Sequence, residues 1–86
     1  MIDNLSNPAA WALLMQELDE AREHLEVLIA EMEKNGHLDE EKFRVDLGHI
    51  YAHLNRTWHG RNQPDAITDE QWTMFSRFPA DVPLVG

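Results

Sequence analysis

The sequence of 86 residues contains no cysteine, and this absence excludes several classes of protein at once. Disulfide scaffolds, zinc sites made of thiolates and cysteine nucleophiles all need a thiol, and a chain without one fits a reducing compartment. The four glycines stand apart from one another, so no glycine-rich phosphate loop is present. Ser6 and Ser76 lack the glycine-flanked turn of a nucleophile elbow. The sequence therefore assigns no catalytic residue.

Long apolar segments are also missing. No run of residues approaches the roughly 20 apolar positions that a helix needs to cross a bilayer. The first residues, Met1 to Asn4, include an acid where a signal peptide has positive charge. We therefore expect a cytoplasmic protein without a membrane partner.

Basic residues are scarce, and the net charge is −9 at neutral pH. The imbalance lies in residues 1–41, which contain eleven of the 16 acidic residues and only two basic residues, Arg22 and Lys34. Residues 42–86 are balanced in charge. Because an acidic surface repels phosphate backbones and anionic lipids, nucleic acid is not an expected partner.

What the sequence has is an apolar repeat in steps of three and four residues, which lies on one face of a helix. This seam consists of Trp11, Leu14, Leu18, Ala21, Leu25, Leu28 and Met32. It predicts a long first helix over about residues 8–34. Asn35 and Gly36 end it, since glycine favours the left-handed conformation that follows many helices.

A second apolar stripe predicts a second helix over about residues 40–58, with Asp39 as its N-cap. This stripe consists of Phe43, Leu47, Ile50, Leu54 and Trp58. A connection this short makes the two helices antiparallel neighbours. Folding the chain at this connection pairs the two stripes position by position: Met32 with Phe43, Leu28 with Leu47, Leu25 with Ile50, and Ala21 with Leu54. Two patterns that agree in this way predict a helical hairpin.

The remaining chain predicts a short third helix over about residues 69–77. Thr68 and Gln71 have the spacing of a capping box at its start. We expect Trp72 and Phe75 of this helix to cover the region of Trp11 and Leu14. Residues 1–7 and 79–86 should be extended tails of a single small helical domain, 1–86.

The fold class is thus all-α, and the predicted assembly is a homodimer. One hairpin buries only part of each apolar stripe, and a chain of this size gains little free energy from its own core. Two hairpins about a two-fold axis form a four-helix bundle that buries both stripes. A monomeric three-helix domain is the alternative.

The side chains that most resemble a metal site lie on the second helix. Asp46, His49 and His53 share one helical face, because they are spaced by three and four residues. Two imidazoles and a carboxylate can bind zinc, iron or manganese. His24, His37 and His59 are scattered along the sequence and carry less weight. A solvated, titratable helix face is the other interpretation, with no cofactor.

The acidic face of the first helix offers a second kind of metal site. Its carboxylates have overlapping spacings of three residues, at Glu17, Glu20, Glu23 and Glu26. All-α nucleotide pyrophosphohydrolases use such a pattern on one helix and a second acidic pair on the next. Here the second helix has only Asp46 followed by His49, so the second acidic pair of that family is absent. The alternative function is nevertheless a metal-dependent all-α hydrolase of this kind, which uses helix-face carboxylates and histidines.

The most basic segment of this acidic chain lies at the end of the second helix. It contains Arg56, Trp58, His59 and Arg61, and arginine and tryptophan are enriched in protein–protein hot spots. We predict a corner that binds an unidentified protein partner. The leading hypothesis for function is therefore a small, acidic, non-enzymatic interaction or assembly module that acts through dimerisation and this corner.

Overall fold

A computed structural model describes residues 2–63 and 67–86, so the predicted N-terminal tail is described from Ile2. These residues contain three helices, α1 (Pro8–Asn35), α2 (Glu40–His59) and α3 (Asp69–Phe75), and no strand. The predicted all-helical chain with three helices is confirmed. Helix α3 ends two residues before its predicted end. The carbonyl of its C-cap residue, Ser76, accepts a hydrogen bond from the Asn55 side chain at 2.8 Å.

Local sequence explains where each helix begins and ends. The side chains of Asn7, Asp39 and Thr68 accept hydrogen bonds from the first turns of α1, α2 and α3. Thr68 and Gln71 bond each other's backbone in the predicted capping box. Gly36 ends α1 with a φ of 71°, the left-handed conformation expected there.

Helices α1 and α2 pack as an antiparallel pair. Glu31, near the end of α1, bonds Lys42 near the start of α2, whereas Glu17 bonds His53 near the end of α2. The buried apolar cluster between the helices is small. It consists of Ala21, Leu28 and Ile50, with Leu38, Phe43 and Leu47 packed against it.

The heptad seam of α1 is only half buried. Leu14, Ala21 and Leu28 are at most 8% exposed. The alternate row, which we call the a row, remains between 37% and 45% exposed. Its members are Trp11, Leu18, Leu25 and Met32. Helix α2 therefore covers one side of the seam and leaves the other side uncovered.

Helix α3 packs against α2, and among the described residues no Cα of α3 lies within 8 Å of a Cα of α1. The expected cover of Trp11 and Leu14 by side chains of α3 stays a prediction. The guanidinium of Arg56 on α2 lies over the Trp72 ring at 4.4 Å and fixes α3 there. No helix in the described ranges is long and apolar enough to cross a bilayer.

Candidate functional site

The two flanks of the hairpin differ in chemistry. One flank, which we call the polar side, carries the contacts between charged and histidine side chains of α1 and α2. Its residues are Glu17, Glu20, His24 and Glu31 of α1, and Lys42, Asp46, His49, His53 and Arg56 of α2. Because side chains of a helix project in a fixed order around its axis, the a row of α1 lies on the opposite flank.

The polar side contains a buried network of three side chains. Glu17, His53 and Arg56 are each at most 6% exposed. The Arg56 Nε donates to both Glu17 oxygens at 3.1 Å, and the His53 Nδ1 lies 2.8 Å from Glu17 Oε2. Ion pairs are rarely buried this deeply unless hydrogen bonds satisfy both partners.

The chemistry of Glu17 fixes the tautomer of His53. An ionised carboxylate only accepts hydrogen bonds, so the short contact places a proton on the His53 Nδ1. The Glu20 carboxylate lies 3.3 Å from the same nitrogen and also favours that proton. Since Arg56 only donates, its Nη2, 3.0 Å from Nδ1, makes no hydrogen bond to that nitrogen. The other ring nitrogen, Nε2, is buried and has no hydrogen-bond partner among the described residues.

The other side of Arg56 contacts residues 67–86, which we call the C-terminal segment. Its Nη1 donates to the Ser76 hydroxyl at 2.8 Å, and its guanidinium lies over Trp72. The network therefore links α1, α2 and the end of α3. It positions the His53 ring more firmly than packing alone would.

Three histidines cluster beside this network. The ring centroid of His24 is 4.2 Å from that of His49 and 5.3 Å from that of His53, and the His49 and His53 rings are 4.8 Å apart. One ligand nitrogen of each ring lies within 4.8 Å of the other two. A second group of ligand atoms with the same spacing consists of Glu17, Glu20 and His53.

The cluster changes the acid–base behaviour of His49. Burial lowers the pKa of His49 below its ordinary 6.5, and the neighbouring His24, His53 and Arg56 lower it further. Burial and these three neighbours disfavour the charged imidazolium, whereas the Glu20 carboxylate favours it and opposes part of the shift. The net effect lowers the pKa of His49 and favours its neutral form.

We expect an NMR titration of the imidazole C–H signals to give His49 a pKa below the ordinary 6.5. Replacement of His24 by glutamine should raise the pKa of His49, because it removes a neighbouring positive charge at low pH. A pKa of His49 at or above 6.5 that does not respond to His24→Gln would contradict the clustered geometry.

The residues predicted to bind metal are only partly brought together. His49 and His53 stack on each other, but the Asp46 carboxylate accepts a hydrogen bond from Lys42 at 2.7 Å and belongs to neither ligand group. His24 takes the third place. The predicted pairing of Leu25 with Ile50 could have identified His24 as a neighbour of the pair. His24 and His49 each precede these paired residues by one position, so the same register places them side by side on the adjoining flank.

The predicted partner-binding corner is largely occupied by contacts within the chain. Arg56 is buried in the network, and Arg61 lies over the Trp58 ring at 3.7 Å. The Trp58 indole donates to Asp81 at 3.0 Å, and this hydrogen bond lowers the pKa of Asp81. The His59 Nε2 lies 3.0 Å from the Arg77 carbonyl. These side chains hold the C-terminal segment on α2, and partner binding at this corner stays a prediction.

The other flank, which we call the apolar side, consists of the a row of α1 together with Leu47, Tyr51 and Leu54 of α2. Tyr51 and Leu54 are 47% and 41% exposed. The C-terminal segment reaches the end of this flank, where Phe78 contacts the Tyr51 ring edge-on at 5.2 Å. A second candidate surface is thus present beside the histidine cluster.

No family model matches this chain, and no curated protein or solved structure is significantly similar to it.

Proposed function

We propose that the protein is a homodimeric assembly module in which two hairpins join through their apolar sides as a four-helix bundle. The exposed a row of α1 supports this proposal. A regular row of large apolar side chains on a helix favours burial against another helix. Within one copy, α2 buries only the alternate row of the seam.

The size of the apolar side fits a dimer interface. From Trp11 to Met32 the row is about 32 Å long at 1.5 Å per residue. Two adjacent helices of ordinary diameter make this side about 20 Å wide. The resulting area of about 600 Å² per copy approaches the roughly 800 Å² per partner of a standard protein interface. A second copy is a fitting occupant, because the intramolecular core of this chain is small.

The order of residues in the a row suits a two-fold axis. Trp11, Leu18, Leu25 and Met32 are seven residues apart and symmetric about a point between Ala21 and Arg22. An antiparallel second copy of α1 therefore places Leu18 of one copy opposite Leu25 of the other, and Trp11 opposite Met32. A two-fold interface requires such self-complementarity. Arg22, at the centre, is paired with Asp19 of its own helix.

Substitution of Leu18 by glutamate should convert the dimer to a monomer that keeps its helical circular dichroism. Leu18 is 45% exposed in the single copy, so the charge costs little there, but the dimer would bury it without a partner. Size-exclusion chromatography with light scattering measures the change. The matched control is Val27→Glu, a similar change at an exposed position of α1 outside the a row.

Disulfide trapping tests the arrangement of the two helices. Since the chain has no cysteine, each introduced cysteine reports a single position. Under mild oxidation we expect Arg22→Cys to form a covalent dimer and Glu23→Cys, which projects from another face, to remain largely monomeric. A wild-type monomer at high concentration, or a dimer that Leu18→Glu leaves intact, would overturn the proposal.

A further inference from the structure

The histidine cluster on the polar side has a composition that suits a metal ion. His24 comes from α1, and His49 and His53 come from adjacent turns of α2. Three imidazoles without thiolates are a known ligand set for zinc sites with an open position. Tetrahedral zinc with nitrogen ligands needs nitrogens about 3.3 Å apart, given its bond length of about 2.0 Å. The nitrogens here already lie within 4.8 Å of one another.

An independent observation comes from the buried His53. Its Nδ1 donates a hydrogen bond to Glu17, and its Nε2 is buried without a hydrogen-bond partner among the described residues. Buried polar atoms are nearly always paired, so such an atom calls for an explanation. With the proton on Nδ1, the free lone pair of the ring is on Nε2. A metal ion binds a neutral imidazole through the nitrogen that carries this lone pair.

The surroundings of His53 match those of a metal ligand. Histidines that bind metals commonly donate their other ring nitrogen to a carboxylate, which orients the ring and raises its basicity. Glu17 supplies that carboxylate, and Arg56 holds Glu17 in place through both oxygens. Arg56 does not leave an uncompensated positive charge beside the cluster, because Glu17 and Glu20 together outweigh it by one negative charge.

We propose that His24, His49 and His53 bind one divalent transition-metal ion of the zinc class in each chain, with Glu17 and Glu20 as outer-shell carboxylates. His49 lies at the surface. The rings of His24 and His49 both stack on that of His53, so binding one ion requires both rings to turn until their in-plane lone pairs meet that of His53. Glu20 approaches the Nδ1 of His53 and not its Nε2, so its carboxylate orients the ligand rather than binding the ion. Three protein ligands leave a fourth position for water.

Isothermal titration calorimetry of the untagged, EDTA-treated protein with Zn²⁺ tests this proposal. We expect one ion per chain. Titration with Co²⁺ should give the visible absorption of a tetrahedral nitrogen site. Excess Mg²⁺ should not compete, because imidazole ligands favour zinc and cobalt whereas clustered carboxylates would favour magnesium.

Variants identify the ligands. His24→Ala and His49→Ala should each weaken Zn²⁺ binding by roughly 100-fold or more, and Glu17→Gln by roughly 10- to 100-fold as an outer-shell change. His37→Ala removes an exposed histidine outside the cluster and should bind as the wild type does. Circular dichroism of each apo variant checks that it is folded.

Several results would overturn the proposal. A folded wild type that binds no Zn²⁺, or one ion that is shared by two chains, contradicts the proposal. So would His24→Ala and His49→Ala variants whose Zn²⁺ affinity stays within twofold of the wild-type affinity. An equal loss in His37→Ala would also do so. The proposal does not rest on the dimer, and the monomeric Leu18→Glu variant should bind Zn²⁺ as tightly as the wild type.

Discussion

Replacement of Ile50 by aspartate is expected to unfold the protein. Ile50 is 4% exposed and packs between Ala21 and Leu28 in the small core. The substitution removes a buried apolar side chain and places a charge there without a partner, at a cost of about 4 kcal/mol or more. Small domains lie at the low end of the usual 5–15 kcal/mol of stability, so this loss removes most of it. Far-UV circular dichroism and urea unfolding measure the result.

The matched control is Val45→Asp on the same helix. Both changes replace a β-branched apolar residue of α2 by aspartate, but Val45 is 64% exposed. The free energy of unfolding of Val45→Asp should therefore lie within about 0.5 kcal/mol of the wild-type value, because most surface substitutions change it by no more than that. If Ile50→Asp kept the wild-type urea midpoint, Ile50 would not lie in the core. If Val45→Asp unfolded as well, α2 would bury a face that the structure leaves exposed.

Replacement of Arg56 by alanine should be the most costly change on the polar side. Arg56 is 3% exposed, and its removal leaves the buried Glu17 carboxylate without its charged partner. Breaking one partner of a buried ion pair typically costs about 3–5 kcal/mol. The same change releases Ser76 and Trp72, so α3 should also lose its anchor. Chemical denaturation measures the first effect, and proteolysis within the C-terminal segment measures the second.

Two further variants separate the charge effect from a general loss of contacts. Arg44→Ala breaks an exposed pair with Glu41, and such surface pairs contribute at most about 1 kcal/mol. The double variant Glu17→Leu with Arg56→Met removes both charges together and should be more stable than Arg56→Ala alone. A double variant that is as unstable as the single one would show that shape, and not the unpaired charge, determines the cost.

The helices and their ends follow from the sequence because they depend on short-range interactions. Gly36 suits a left-handed turn, and the Asp39 and Thr68 side chains cap turns three residues away. The apolar periodicity identifies which faces are buried, and the short connection makes the first two helices antiparallel. All of this is encoded within a few residues along the chain, so it requires no knowledge of distant contacts.

The sequence could not show which row of the seam is buried. Leu14 and Leu18 are equally apolar and belong to the same repeat, yet one is 8% exposed and the other 45%. The difference depends on where α2 lies around α1, which is a property of the packed pair. For the same reason α3 lies on α2, where Arg56 and Trp72 meet, although Trp11 was an equally apolar target.

The candidate site shows the same division. The sequence alone placed His49 and His53 on one helical face, because a spacing of four residues is local to a helix. The Lys42–Asp46 pair, four residues apart on α2, is local as well. Only the tertiary structure decided that His24 joins the two histidines and that Glu17 and Arg56 are buried together. Those contacts join residues up to 39 positions apart, and their partners were fixed by the packing of α1 against α2.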